Sequence, residues 1–180
     1  MQLFDDNSHL NSWIAKAKEG DRRAQKAIYD ALSGKMYAVC LRYMTDRDSA
    51  EDVLQDGFVT LFAKLDSFSG EGSFEGWARK IFVNTALMSL RKNDVLKETT
   101  DVEAAWDVPG EAPTAIQQMT YKEMYKAIAE LPAGFRTVFN MYVVEGYSHA
   151  EIAEALGISE TTSRSQLLRA RALLQSKIKK

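Results

Sequence analysis

A single cysteine, Cys40, stands in the 180 residues, so no internal disulfide can form and no cysteine-built zinc site is available. It lies in the apolar run MYAVCLRYM, where a buried thiol is the expected state. Proline is almost as scarce, at three, and glycine stands at ten. With many Ala, Leu, Glu, Lys and Arg around them, that scarcity predicts an all-α chain. No apolar run approaches the ~18 residues of a membrane-crossing helix. The opening MQLFDDNSHLNSW lacks the basic stretch and apolar core of a signal peptide. A hydrophobic fraction of 46% is that of a packed protein rather than a disordered one. The length suits one full domain or two small ones. The class left is a soluble, cytoplasmic, helical protein.

The net charge of −2 argues against nucleic acid only if charge is spread evenly, and it is not. Residues 46–75 hold eight acids and two bases, and residues 98–118 hold five acids and no base. Residues 76–97 hold five bases and one acid, and residues 159–180 hold six bases and one acid. Two basic elements separated by an acidic stretch point to local contact with a polyanion.

Apolar residues recur at three- and four-residue spacing from Asp21 to Met44, an amphipathic helix with Gly34 as a candidate kink. Asp46 or Asp48 can cap a third helix running to Asp66. SFSGEGSF is a loop, and a long helix follows from about Phe74 to Val95. Residues 97–115, KETTDVEAAWDVPGEAPTA, carry two of the three prolines and read as an acidic, extended linker. Periodicity returns at Ile116, and Pro132 suits the first turn of another helix. The outline is two helical domains, over 8–96 and 116–180, joined by that linker.

The C-terminal domain carries the sharpest motif. In SHAEIAEALGIS, Ser148 and Glu151 form a capping box, and Gly157 follows the last apolar residue, where a left-handed turn suits glycine. Ser159 can cap a second, longer helix. A short helix, a tight turn and a longer helix make a helix-turn-helix. Ser163, Leu167, Ala170 and Leu174 would face inward on the second helix. Thr161, Thr162, Ser165, Gln166 and Arg169 would then face outward, as side chains that meet base edges. Arg164, Arg171, Lys177, Lys179 and Lys180 are better placed for phosphates.

In the N-terminal domain, RDSAEDVLQDGFVTLFAKLDSF sets Asp52, Gln55 and Asp56 on one helix beside Leu54, Phe58 and Leu61. Such a face is either solvated or docks on a basic partner. Carboxylates four apart are also half of a metal site, but no Glu-x-x-His accompanies them, and His9 and His149 lie in other segments. In GSFEGWARKIFVNTALMSLRKN, Phe74, Trp77 and Phe82 alternate with Arg79, Lys80, Asn84, Arg91 and Lys92. Trp77 and Phe82 also fit a core. Aromatic and basic residues beside a Gly/Ser loop are the means by which unstacked bases of a single strand are held.

Together these stretches resemble the extracytoplasmic-function (ECF) group of the sigma-70 family of bacterial RNA polymerase sigma factors, over residues 8–178. AEDVLQDGFVTLF is similar to the family's polymerase-binding helix, and FEGWARKIFVNTAL to the segment that melts the −10 promoter element. LPAGFRTVFNMYVVEGYSHAEIAEALGIS with SQLLRAR is similar to the reader of the −35 element. The resemblance implies that Asp52, Leu54, Gln55, Asp56 and Phe58 dock on the polymerase clamp, with further contact to its flap. It implies that the 66–76 loop with Phe68 and Phe74 holds a flipped base. Trp77, Arg79, Lys80, Asn84, Arg91 and Lys92 would then support the non-template strand. The acidic linker would thread along the polymerase's nucleic-acid path. An anti-sigma factor, in this group often membrane-tethered, is the further implied partner. The resemblance implies no catalytic residue, no cofactor, no small-molecule substrate and no membrane insertion. Ser163 and Gln166 depart from its pattern, which has an aliphatic and a basic residue there. Two other readings remain: a two-domain helix-turn-helix regulator whose first domain binds a ligand or dimerises, and a carboxylate metal site at Asp52 and Asp56.

Overall fold

The computed structural model describes residues 7–92 and 121–178, and its regular structure there is entirely helical. The linker at 97–115, the turns expected to Val95 and from Ile116, and Lys179 and Lys180 lie outside the described residues. Residue contacts divide the chain into two units, Met1–Ser89 and Leu90–Lys180.

The first unit opens with α1, Asn7–Lys18, which the sequence pattern had not marked. Asp21 then caps α2, Arg22–Tyr43, by accepting from the Arg23 and Ala24 N–H groups. This helix runs unbroken through Gly34, so the kink expected there is absent; no neighbour crowds that position. Asp46, not Asp48, caps α3, Arg47–Ala63, accepting from the Ser49 N–H at 2.8 Å. A 3₁₀ turn, Leu65–Ser67, takes the place of the last helical turn expected to Asp66. Helix α4, Phe74–Lys92, follows a six-residue loop, 68–73.

Aromatic rings hold these helices together. Phe58 of α3 packs on Tyr29 of α2 at 4.4 Å and edge-on to Phe82 of α4 at 5.0 Å. Gly57 makes this approach possible, since a Cβ there would lie 2.3 Å from a Phe82 ring carbon. Tyr43, Phe82, Met36, Ile28 and Leu61 are fully buried around them, and each of the last four contributes roughly 1.5–3 kcal/mol by leaving water.

The second unit begins with α5, Tyr121–Ala129. Pro132 is the N-cap of α6, Ala133–Phe139, one position earlier than expected; its carbonyl accepts from the Arg136 N–H at 2.9 Å. The buried Arg136 guanidinium donates to the Ala129 and Leu131 carbonyls, at 3.2 and 2.9 Å. It thereby satisfies the open C-terminal end of α5. Helix α6 runs into a π-helical turn, Asn140–Val144, in which the Glu145 N–H reaches the Asn140 carbonyl at 3.0 Å. Helices α7, His149–Leu156, and α8, Glu160–Ile178, complete the unit. Ala127, Leu131, Phe135, Ala170 and Leu174 form its core, and Lys177 of α8 pairs with Glu130 just beyond α5.

Candidate nucleic-acid interface

The turn between α7 and α8 is built as its residue types dictate. The Glu151 N–H donates to Ser148 Oγ at 3.3 Å and the Ser148 N–H to the Glu151 carboxylate at 2.8 Å, the reciprocal capping box. Gly157 is left-handed at φ 69° and ψ 33°. Ser159 Oγ accepts from the Thr162 N–H at 3.0 Å and starts α8. Three residues, 157–159, separate the two helices, the geometry that presents one helix to a DNA groove.

On α8 the expected inward set, Ser163, Leu167, Ala170 and Leu174, is buried. Gln166 is buried too, at 6% exposure, contrary to its expected place on the outer face. It lies three residues from Ser163 and four from Ala170, so it joins the edge of the buried stripe. Thr162, Ser165 and Arg169 are half-buried, and Ser165 Oγ is turned back onto the Thr162 carbonyl at 2.9 Å. The exposed stripe is instead Thr161, Arg164, Leu168 and Arg171, spaced at three and four residues. Arg164 pairs with Glu160 at 2.6 Å. Sequence reasoning had missed Leu168, which is 57% exposed; an apolar contact to a thymine methyl is chemistry open to it.

Ser163 is the polar member of the buried stripe, and its partner lies across the turn. His149 Nδ1 and Ser163 Oγ are hydrogen-bonded at 2.9 Å, and the imidazole stacks on Tyr142 of the π-helical turn at 4.5 Å. Burial, reinforced by the positive charge of Arg164, holds His149 below its ordinary range, with Glu160 acting the other way. The sequence offered no signal for this clamp, since it needs the π turn to bring Tyr142 to His149.

In the first unit Phe68 and Phe74 are buried, at 5% and 4% exposure, where rings open to a base were expected. They pack with each other at 5.1 Å and with Trp77 at 5.3 and 5.5 Å. They form the floor of the loop, and half-buried Trp77 is the ring of this trio nearest to solvent. Lys80, Asn84, Arg91 and Lys92 of α4 are exposed. Met88, 69% exposed, completes the face formed by Trp77, Lys80, Asn84 and Arg91 and was not anticipated. Arg79 is half-buried and pairs with Glu75 at 3.7 Å.

On α3, Asp52, Gln55 and Asp56 face solvent, and Leu54 is half-buried. Phe58 is buried at 4%; the ring contacts to Tyr29 and Phe82 occupy it, so it braces the face from within. Val59, 70% exposed, stands in its place on the outer side. A groove of about 390 Å³ between α2 and α3 is lined by Tyr29, Ser33, Tyr37, Glu51, Leu54 and Gln55 among others. Among the described residues no group of three or more metal-ligating side chains occurs, and no helix is long and apolar enough to cross a membrane.

Family models for sigma-70 region 2 and sigma-70 region 4 match residues 28–95 and 116–174, well over half of the chain together. The chain belongs to the sigma-70 family. Similar relatives place it in the ECF group. The ECF RNA polymerase sigma-E factor of Haemophilus influenzae is 27% identical over 176 residues, covering 92% of this chain and 93% of that protein. The sigma-E factor of Escherichia coli K12 is 26% identical, covering 92% of each. Among solved structures, the sigma factor RpoE bound to the anti-sigma factor NepR from Bartonella quintana is similar at TM-score 0.54 and 24% identity, over 86% of this chain and 96% of that one. CnrH bound to the cytosolic domain of CnrY is similar at TM-score 0.50 and 22% identity, over 93% and 95%. At such identities the two structures support the fold. The ligand-sensing regulator is therefore not favoured, and the chain is an RNA polymerase sigma factor.

Proposed function

We propose that this sigma factor carries out initiation through three separate faces. The exposed acidic face of α3, with Asp52, Gln55, Asp56 and Val59 beside the groove to α2, docks on a basic, partly apolar surface of the polymerase clamp. Carboxylates there steer the encounter, and the apolar rim supplies contact area. The 68–73 loop and the Trp77, Lys80, Asn84 and Arg91 face of α4 take the non-template strand of the −10 element, pairing stacking surface with phosphate contacts. Helix α8 enters the −35 major groove, with Arg164 and Arg171 on phosphates and Thr161 toward bases. The domains act over 8–96 and 116–180, and the acidic linker follows the polymerase's nucleic-acid path.

The observation that carries this reading is the pairing of two family regions in order with a helix-turn-helix whose exposed stripe is basic. Bond-making belongs to the polymerase; the sigma factor is a non-enzymatic initiation factor working in the cytoplasm. An anti-sigma protein competing for the α3 face or for the second unit is the regulator that ECF membership suggests. Co-elution with bacterial core polymerase on gel filtration, followed by run-off transcription from genomic fragments, tests the whole. New, promoter-specific transcripts are expected; specific duplex binding without co-elution would overturn it.

A further inference from the structure

Two lysines stand outside every role given above, and both reach the loop between the 3₁₀ turn and α4. Lys18, the last residue of α1, donates from Nζ to the Phe68 carbonyl at 2.9 Å. Lys35, in the middle of α2, pairs with Glu75 at 2.5 Å. Phe68 is the residue before the SGEGS loop of 69–73, and Glu75 is the second residue of α4 just after it. One ammonium group from α1 and one from α2 therefore hold the two ends of this loop.

Between those ends the loop is bare. Gly70 and Gly72 are left-handed, at φ 86° and 76°, and no atom would crowd a side chain at either. The aromatic trio of Phe68, Phe74 and Trp77 fixes the floor. Beside it opens a groove of about 450 Å³ lined by Leu10, Leu32, Lys35, Ser73, Phe74 and Glu75 among others. Exposed ion pairs contribute little to global stability, and Lys35 is 59% exposed. Their consequence is positional. Discrimination between bases by a loop depends on where its backbone groups lie to a fraction of an ångström. A glycine-rich segment keeps such a position only if its ends are fixed.

We propose that Lys18 and Lys35 are positioning residues for the strand-capturing loop: they clamp the two ends of residues 69–73 and so set which base the loop accepts. This inference rests on the reading that the loop takes the −10 strand.

The test uses holoenzyme reconstituted with core polymerase and single-stranded −10 oligonucleotides carrying each base at each position. Lys18→Met and Lys35→Met keep the aliphatic stem and remove the charge. Each is expected to flatten the base preference by roughly fivefold or more, the scale of a modest misplacement. The urea midpoint, core co-elution and −35 duplex binding should stay as in wild type. Lys18→Arg, which keeps a charged donor, should restore the preference. Two results would overturn the proposal: unchanged preference in both Met variants, or an equal loss for every base together with a fall in the urea midpoint. Glu71→Ala, at the loop tip with both lysines intact, tests the parent reading separately. If neither it nor the wild type shows base preference, the strand-capture reading falls, and the anchoring role falls with it.

Discussion

Cys40 is fully buried on α2, and burial pushes its thiol up from 9.0 to about 12. Because the thiolate is the reactive form, a thiol reagent at neutral pH should label the protein only after denaturant is added, as a colorimetric assay would show. The same shift gives a pH dependence. The unfolded thiol ionises near 9 while the folded one stays protonated, so this contribution to stability is intact below 9 and is lost as pH rises toward about 12. Urea midpoints at neutral and alkaline pH should fall further in wild type than in Cys40→Ala, whose lysines and tyrosines titrate alike. His149 carries the opposite dependence. Its imidazole is held below 6.5, first by burial and then by Arg164. The unfolded chain therefore takes up the proton first as pH falls, and stability is lost below about 6.5. His149→Gln, which can bond to Ser163 but does not titrate, should remove that segment of a stability–pH curve.

Two glycines separate the causes that act on an element. Gly57 is in ordinary helix, but a Cβ there would meet the buried Phe82 ring at 2.3 Å. Gly57→Ala should cost ~1–3 kcal/mol by overpacking, and Gly57→Asn should cost at least as much. At Gly157 no neighbour is near, and the cost of Gly157→Ala comes from its φ of 69°, ~1–2 kcal/mol. Asn, which tolerates that region, should recover most of it at 157. Thermal or urea unfolding of the four variants would distinguish packing from backbone conformation. The α8 face is an element-scale result of the same kind. The apolar stripe alone predicts its centre well, yet α6 and α7 both pack against α8, and Gln166 is buried along with the stripe. Gln166→Arg should therefore perturb the second unit's stability before it alters −35 preference; a melt alongside a competition assay with shuffled upstream elements would show the order.

At the scale of the molecule, opposite charges lie on different helices: α3 exposes Asp52 and Asp56, whereas α4 and α8 expose Lys80, Arg91, Arg164 and Arg171. The proposed function gives the first to a protein partner and the others to nucleic acid. Reversing the first, with Asp52→Arg and Asp56→Arg together, should abolish co-elution with core polymerase while circular dichroism stays native, because both side chains face solvent. Removing a charge from the second, Arg164→Ala, should weaken −35 binding for all sequences alike. It should also lower the salt dependence by about one phosphate contact.

Local chemistry was enough to determine the helical class, the capping box at Ser148, a cap at Asp46 or Asp48, the left-handed turn at Gly157, the buried thiol and the buried stripe of α8. Each depends on residue type and short spacing, which hold wherever the chain goes. The solvent-facing Asp52 and Asp56 were legible for the same reason. Tertiary structure alone decided which aromatics are floor and which are surface. Phe58, Phe68 and Phe74 carry the same apolar rings as a stacking platform, and only the approach of other helices buries them. It also decided the π turn that brings Tyr142 to His149, and the reach of Lys18 across the fold to the Phe68 carbonyl. These contacts join residues distant in sequence, and no periodicity along one helix records what a second helix brings to it.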